Sequence, residues 1–215
     1  MKNIAFIINP MSGTQNKRRL PKTISELLDK KQWLENIVFT ERPEHATALA
    51  RQFALMEFDA VVAVGGDGTV REVAEGLAGT RSALGIIPMG TTNSLARHLG
   101  LPLRGNSSIQ WLNRAEVLLC DTLNVCIDHT ETTVAVSEVS MNDIHVLNCE
   151  HPAMRDVKAS VQDGLLTIAG EEPCETFTIT GEGVALVDGD EYTCNESIAV
   201  TVLPDSLHIL APKRF

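Results

Sequence analysis

The stretch DAVVAVGGDGTVREVAEGL (residues 59–77) decides the fold. Residues 59–64 read as a strand, apolar from Ala60 on and bounded by Gly65-Gly66, as burial on both faces requires, and residues 70–77 continue at helical spacing. Between them lies Gly65-Gly66-Asp67-Gly68-Thr69. Its glycines let backbone amides approach an anion closely, and a helix N-terminus adds favourable partial charge. Asp67 repels phosphate unless a divalent cation lies between the two. Gly-Asp-Gly alone is an ordinary turn, but five such residues at a strand-to-helix junction favour an anion site.

Outward from this stretch, strand-like and helix-like segments alternate. Residues 3–8, 36–40 and 84–87 have strand character; residues 19–33, 45–56 and 94–99 have helical spacing. The alternation predicts a parallel sheet with flanking helices. Two more strand-to-helix turns carry small polar groups: Asn9-Pro10-Met11-Ser12-Gly13, and Met89-Gly90-Thr91-Thr92-Asn93. Each is weak alone, but in a parallel sheet all three turns open on the carboxyl edge. No G-x-x-x-x-G-K-[ST] or G-x-G-x-x-G pattern occurs, which counts against a P-loop nucleotide fold and a hydride-transfer Rossmann enzyme.

Beyond about residue 117, short Val/Thr/Ile-rich runs recur at 123–127, 132–136, 165–168, 177–180, 198–202 and 207–210. That pattern predicts a small, mostly β, sandwich-like domain. Charge shifts at the same place. Residues 1–118 hold 14 Lys and Arg against 11 Asp and Glu, a net of +3, whereas residues 119–215 hold 4 against 17, a net of −13. Two domains are therefore expected, 1–118 and 119–215. The acidic half disfavours nucleic acid as a partner. No apolar run reaches the roughly 18 residues of a membrane span, so membrane contact is expected to be peripheral at most. Residues 4–8 suit a first strand better than a signal peptide. The five cysteines form no C-x-x-C pair, and reduced thiols in a cytoplasmic protein are expected.

Four segments in this order, IINPMSG (7–13), Thr40 through His45-Ala46, VGGDGTVREVAEGL (64–77) and LGIIPMGTTNSLARHLGLP (84–102), resemble the catalytic region of the diacylglycerol kinase family, which includes sphingosine kinases and bacterial lipid kinases. The resemblance implies a two-domain kinase with ATP between an α/β domain and a β-sandwich domain. It implies Mg²⁺-dependent transfer of the γ-phosphoryl group to the hydroxyl of a lipid such as diacylglycerol or a related acceptor. It further implies nucleotide contacts at Asn9, Ser12, Gly13, Thr40, Gly65, Gly66, Asp67, Gly68, Thr69, Glu72 and Thr92, with Asp67 organising the catalytic Mg²⁺. Ser160, Asp163 and Leu165 match residues that hold a structural metal in the family. Asp188-Gly189-Asp190 resembles the D-G-E tripeptide whose carboxylates activate the acceptor hydroxyl.

The chain departs from the family in three places. Asp190 is one methylene shorter than the usual Glu, and Ser94 stands where many bacterial members carry Asp. Residues 126–159 lack the N-x-x-S-x-G-x-D-A segment and the apolar helices that follow it, and are largely polar. Two alternatives stay open: an NAD kinase-like enzyme, which shares the G-G-D-G-T loop, and a nucleotide-binding protein without catalysis. Asp143, His145, Cys149 and His151 have no standard zinc-ligand spacing. Arg97 and His98 suit a solvated helix face, and Trp33 and Trp111 suit a core or an interface. A shortened β domain leaves strand edges that a second copy would cover, so a homodimer is a further expectation.

Overall fold

The computed structural model describes residues 1–12, 17–135, 138–146, 156–162, 165–168, 175–187 and 190–212. The chain groups into two units, Met1–Cys120 with Leu207–Phe215, and Asp121–Ser206. The first unit runs β1 (Lys2–Ile8), α1 (Leu20–Leu27), β2 (Trp33–Phe39), α2 (His45–Leu55), β3 (Ala60–Gly65), α3 (Asp67–Leu77), β4 (Ala83–Pro88), α4 (Ser94–His98) and α5 (Ser107–Gln110). The strands lie in the order β2-β1-β3-β4, all parallel.

Residues 4–8, 60–64 and 83–87 are buried on both faces, which is why these segments are continuously apolar rather than alternating. Each buried Ile or Leu here contributes about 1.5–3 kcal/mol by leaving water. Helix α3 packs on α2 through Gly76, where a Cβ would stand 2.6 Å from the Thr47 carbonyl oxygen and 2.7 Å from the Ala50 Cβ. Nothing larger than hydrogen fits there.

One segment differs from its expected form. Helix α1 ends at Leu27 instead of continuing to residue 33, and Trp33 opens β2 opposite Lys2. Asp29 ends the helical stretch: its side chain accepts the Lys31 N–H at 2.9 Å and its carbonyl accepts the Trp33 N–H at 2.9 Å. Residues 29–32 offer no apolar face to bury, whereas the Trp33 ring is buried with the Lys2 ammonium 5.9 Å from its centroid. Trp111 is also in the core.

The remaining strands are β5 (Ala115–Ile127), β6 (Thr130–Ala135), β7 (Glu138–Val146), β8 (Asp156–Gln162), β9 (Leu165–Ile168), β10 (Thr176–Val187), β11 (Asp190–Cys194) and β12 (Ser197–Pro212). Those of the second unit pair antiparallel: β7 with β10 and β8, β8 with β9, β10 with β11 and with residues 197–201 of β12, and β5 with β6. The runs expected at 198–202 and 207–210 are one continuous strand. Its last part returns to the first unit, where Ile209 pairs parallel with Leu84 and Leu210 lies against Gly85. Local composition placed everything after residue 118 with the β-rich half; the partner of Ile209 is more than a hundred residues away in sequence.

Asp128 organises one corner of the second unit. It adopts a left-handed φ of 49°, and its carboxylate accepts the backbone N–H groups of Asn195, Glu196 and Ser197. The Glu196 and Asn195 amides hold its pKa well below the usual carboxylate range. A depressed folded-state pKa contributes stability that is present above the unfolded value of about 4 and is lost as pH falls toward the folded one. Asp128→Asn is therefore expected to flatten the acid limb of the stability profile. Urea midpoints from about pH 6 down to about pH 3 would check it; identical slopes in the two proteins would contradict it. Among the described residues Cys120, Cys126 and Cys194 are in no disulfide.

Candidate active site

The parallel registers decide where the site lies. Ile8 is level with Phe39 and with Val64, and Gly65 is level with Pro88. Asn9, Thr40, Gly66 and Met89 therefore leave the sheet on the same carboxyl edge. Strand order reverses between β1 and β3, and a crevice at such a switch point is where open α/β sheets bind ligands. The turn after β1 and the G-G-D-G-T turn after β3 flank it. Asn9 spans it, donating from Nδ2 to the Thr69 Oγ1 at 3.1 Å.

The G-G-D-G-T segment is shorter as a loop than expected, because α3 already begins at Asp67 with Gly66 as its cap. At Gly65 a Cβ would stand 2.4 Å from Thr69 Oγ1, so glycine lets the first helical turn fold back onto the strand end. Asp67 sits at the positive end of α3, where a carboxylate is favoured. Its oxygens accept two backbone N–H groups from the third turn: Asn93 at 2.9 Å and Ser94 at 2.6 Å. Asp67 thus locks the second turn to the third. The two turns also touch directly, since a Cβ on Gly90 would stand 2.6 Å from the Gly66 Cα.

The third turn is closed from within. Asn93, buried at a left-handed φ of 52°, accepts the Gly90 N–H at 2.9 Å through Oδ1 and donates from Nδ2 to the Gly90 carbonyl at 2.8 Å. Asn is among the few residues that tolerate this conformation. Thr92 is exposed, and its carbonyl accepts the Arg97 Nε–H at 2.7 Å. Arg97 lies on the exposed helix face that was expected, and from there braces the turn.

Of the sequence-predicted nucleotide residues, Asn9, Ser12, Thr40, Gly65, Gly66, Asp67, Gly68, Thr69 and Thr92 lie on these edge turns, while Gly13 lies outside the described residues. Thr40 is buried and donates its N–H to the Ile8 carbonyl at 2.9 Å. Glu72 is one turn into α3, where its Oε2 accepts the Ala46 N–H at 3.0 Å, capping α2 across the helix pair. Glu72→Ala is expected to cost about 1 kcal/mol, the usual value of a lost N-terminal cap, with Glu72→Gln retaining most of it. Thermal unfolding of the two variants checks this; equal losses would contradict it.

The second unit holds the other predicted residues. Asp190 opens β11 opposite Val187, and Asp188 lies outside the described residues. Ser160 lies in β8 opposite Thr167, and Leu165 opens β9 opposite Gln162; Asp163 lies outside the described residues. Cys149 and His151 also lie outside them, whereas Asp143 and His145 lie on β7. Among the described residues no group of three or more His, Cys, Asp or Glu could hold a metal. Mg²⁺ needs less: one or two carboxylates, with waters and substrate phosphates completing the shell. Asp67 fits that role, because two bonds from backbone amides leave lone pairs free on a carboxylate.

Sequence reasoning gave Asn93 only as one polar group of the third turn, and gave no role to Lys17 or to the Ser94 amide. Only Asn93 carried a signal, as a turn residue tolerant of positive φ.

The three carboxyl-edge turns of this parallel sheet are tied together by Asn9 and Asp67, on the edge where open α/β sheets bind ligands. Residues 3–125 match the model of the diacylglycerol kinase catalytic domain, and the chain belongs to that family. It is 39% identical over 104 residues to a diacylglycerol kinase of Bacillus subtilis (strain 168), covering 47% of this chain and 34% of that one. It is 42% identical over 106 residues to the diacylglycerol kinase of Staphylococcus haemolyticus (strain JCSC1435), covering 47% and 32%. The matched region thus spans about a third of these curated relatives. The crystal structure of a diacylglycerol kinase from Bacillus anthracis str. Sterne shares the fold, with a TM-score of 0.75 at 17% identity, covering 98% of this chain and 97% of that one. No helix among the described residues is long and apolar enough to cross a membrane.

Proposed function

We propose that the chain is an ATP- and Mg²⁺-dependent kinase that phosphorylates a hydroxyl of a lipid such as diacylglycerol or a related acceptor. The observation that carries this reading is the pair of hydrogen bonds that the Asp67 carboxylate accepts from the Asn93 and Ser94 amides. It fixes two phosphate-type turns in one arrangement before any ligand arrives, and preorganised donors of this kind account for most of the work in phosphoryl transfer. Backbone amides and the hydroxyls of Ser12, Thr69 and Thr92 hold the triphosphate at the carboxyl edge. A magnesium ion held by Asp67 would neutralise charge on the phosphate oxygens.

In the transfer, the acceptor oxygen forms a bond to the γ-phosphorus as the bond from that phosphorus to the β–γ bridging oxygen breaks. ADP leaves with the electron pair. The acceptor proton passes to the carboxylate pair Asp188/Asp190, which serves as general base. The nucleotide belongs to the 1–118 domain, and the base to the 119–215 domain. The protein works in the cytoplasm, meeting lipid at most peripherally; nucleic acid is not a partner, and a second copy covers its open strand edges.

The test is incubation with Mg²⁺ and γ-labelled ATP, offering diacylglycerol, sphingosine, NAD and no acceptor in parallel. Label in a lipid, lost in Asp190→Ala, is the expected result. Label in NAD alone would move the chain to the NAD kinase type. Mg²⁺-dependent ATP binding with no transfer to any acceptor would make it a binding protein.

A further inference from the structure

Lys17 is buried, with 6% of its surface exposed, at the start of the segment that leads into α1. Its ammonium donates to the Asn9 carbonyl, the Ser12 carbonyl and the Ser12 Oγ. All three protons of the ammonium are thereby used. Every partner it has among the described residues is a neutral oxygen, and residues 13–16 contain no carboxylate. A buried cation without a counter-ion is costly, and burial pushes the Lys17 pKa down. The charge is left uncompensated beside the first turn.

The same contacts prepare Ser12. Its N–H lies 3.4 Å and its Oγ 3.2 Å from the Asn9 carbonyl, which also takes the Lys17 ammonium. Three donors compete for two lone pairs. Because Lys17 also donates to Ser12 Oγ, a lone pair there is occupied, and the hydroxyl proton can turn to a better acceptor at little cost. Asn9 carries the arrangement on to Thr69.

We infer that Lys17 is a positioning residue for the phosphates of the bound nucleotide: it holds the Asn9–Ser12 turn open to an anion and supplies a fixed positive charge behind it, without touching the ligand. This rests on the nucleotide reading above. Its signature is that phosphate-bearing ligands feel Lys17 and the bare nucleoside does not.

The experiment measures dissociation constants of ATP, ADP and adenosine for the wild-type chain, Lys17→Met and Lys17→Arg, with thermal unfolding of each. Lys17→Met is expected to weaken ATP and ADP about tenfold, the size of one lost charged interaction, with adenosine unchanged. Lys17→Arg is expected to keep most of the ATP-to-adenosine ratio. Thermal stability should not fall in parallel, because removing an uncompensated buried charge offsets the lost hydrogen bonds. On the wild type alone, the carbon resonance next to the Lys17 ammonium should shift with ADP and with inorganic phosphate, but not with adenosine. An unchanged ATP-to-adenosine ratio in Lys17→Met, or an unshifted resonance on saturation with ADP, would overturn the inference. A wild type that binds none of the three would overturn the nucleotide reading itself, and this inference with it.

Discussion

Asp67→Ala is expected to lower phosphoryl transfer by about a thousandfold or more, the scale on which preorganised electrostatic groups contribute to catalysis. Two losses combine. The Asn93 and Ser94 amides lose their acceptor, so the third turn is no longer tied to the second. The carboxylate that would hold the metal is also gone. The stability loss should be smaller, about 1–3 kcal/mol for leaving the part-buried Asn93 amide unpaired, since water can reach the exposed Ser94 amide. Asp67→Asn separates the two roles poorly, since its NH₂ would face one of the backbone N–H groups; it should be as inactive as Ala. Steady-state rates with thermal unfolding check both. Asp67→Ala retaining activity within tenfold of wild type would remove Asp67 from the mechanism.

Gly90→Ala has the second largest expected effect, and it acts without changing any charge. The new Cβ would stand 2.6 Å from the Gly66 Cα and 3.1 Å from the Asn93 Oδ1. The first neighbour is backbone, so the methyl group cannot be accommodated by a side-chain rotation. The two turns must part, and a displacement of about 1 Å costs on the order of a hundredfold in rate when positioning carries catalysis. Gly66→Ala meets the same pair from the other side at 3.3 Å and should be milder. Rates for the two variants, each corrected for folded fraction, give the comparison. Gly66→Ala more impaired than Gly90→Ala would contradict the geometry of the contact.

The α/β half was legible because its signals are local. Residues 60–64 are apolar on both faces and end in glycines, and the strand and the α3 body follow from that. The edge turns were legible for a similar reason, since Gly, Asn, Ser and Thr cluster at each strand end. What Asp67 does was not legible. A carboxylate in a glycine loop suggests a metal, whereas its bonds to Asn93 and Ser94 depend on β3 and β4 being neighbours. Lys17 gave no signal either, being one of three consecutive basic residues of which it alone is buried.

The second half was less legible. Strands β7 and β8 lie in a stretch read as largely polar, yet each alternates, and Val139 and Met141 stand opposite Ala159 and Val157; the alternation is too short to stand out without the partner strand. The return of residues 207–212 to the first unit is likewise non-local, as Ile209 meets Leu84 only after the whole second unit has been traversed.

Amide hydrogen exchange with and without Mg²⁺-ADP tests most directly whether the three edge turns act as one phosphate cradle. Slowed exchange is expected at residues 9–12, 65–69 and 89–94 together, with the same half-saturation at all three. Saturating nucleotide that protects only one of the turns, or none, would contradict it.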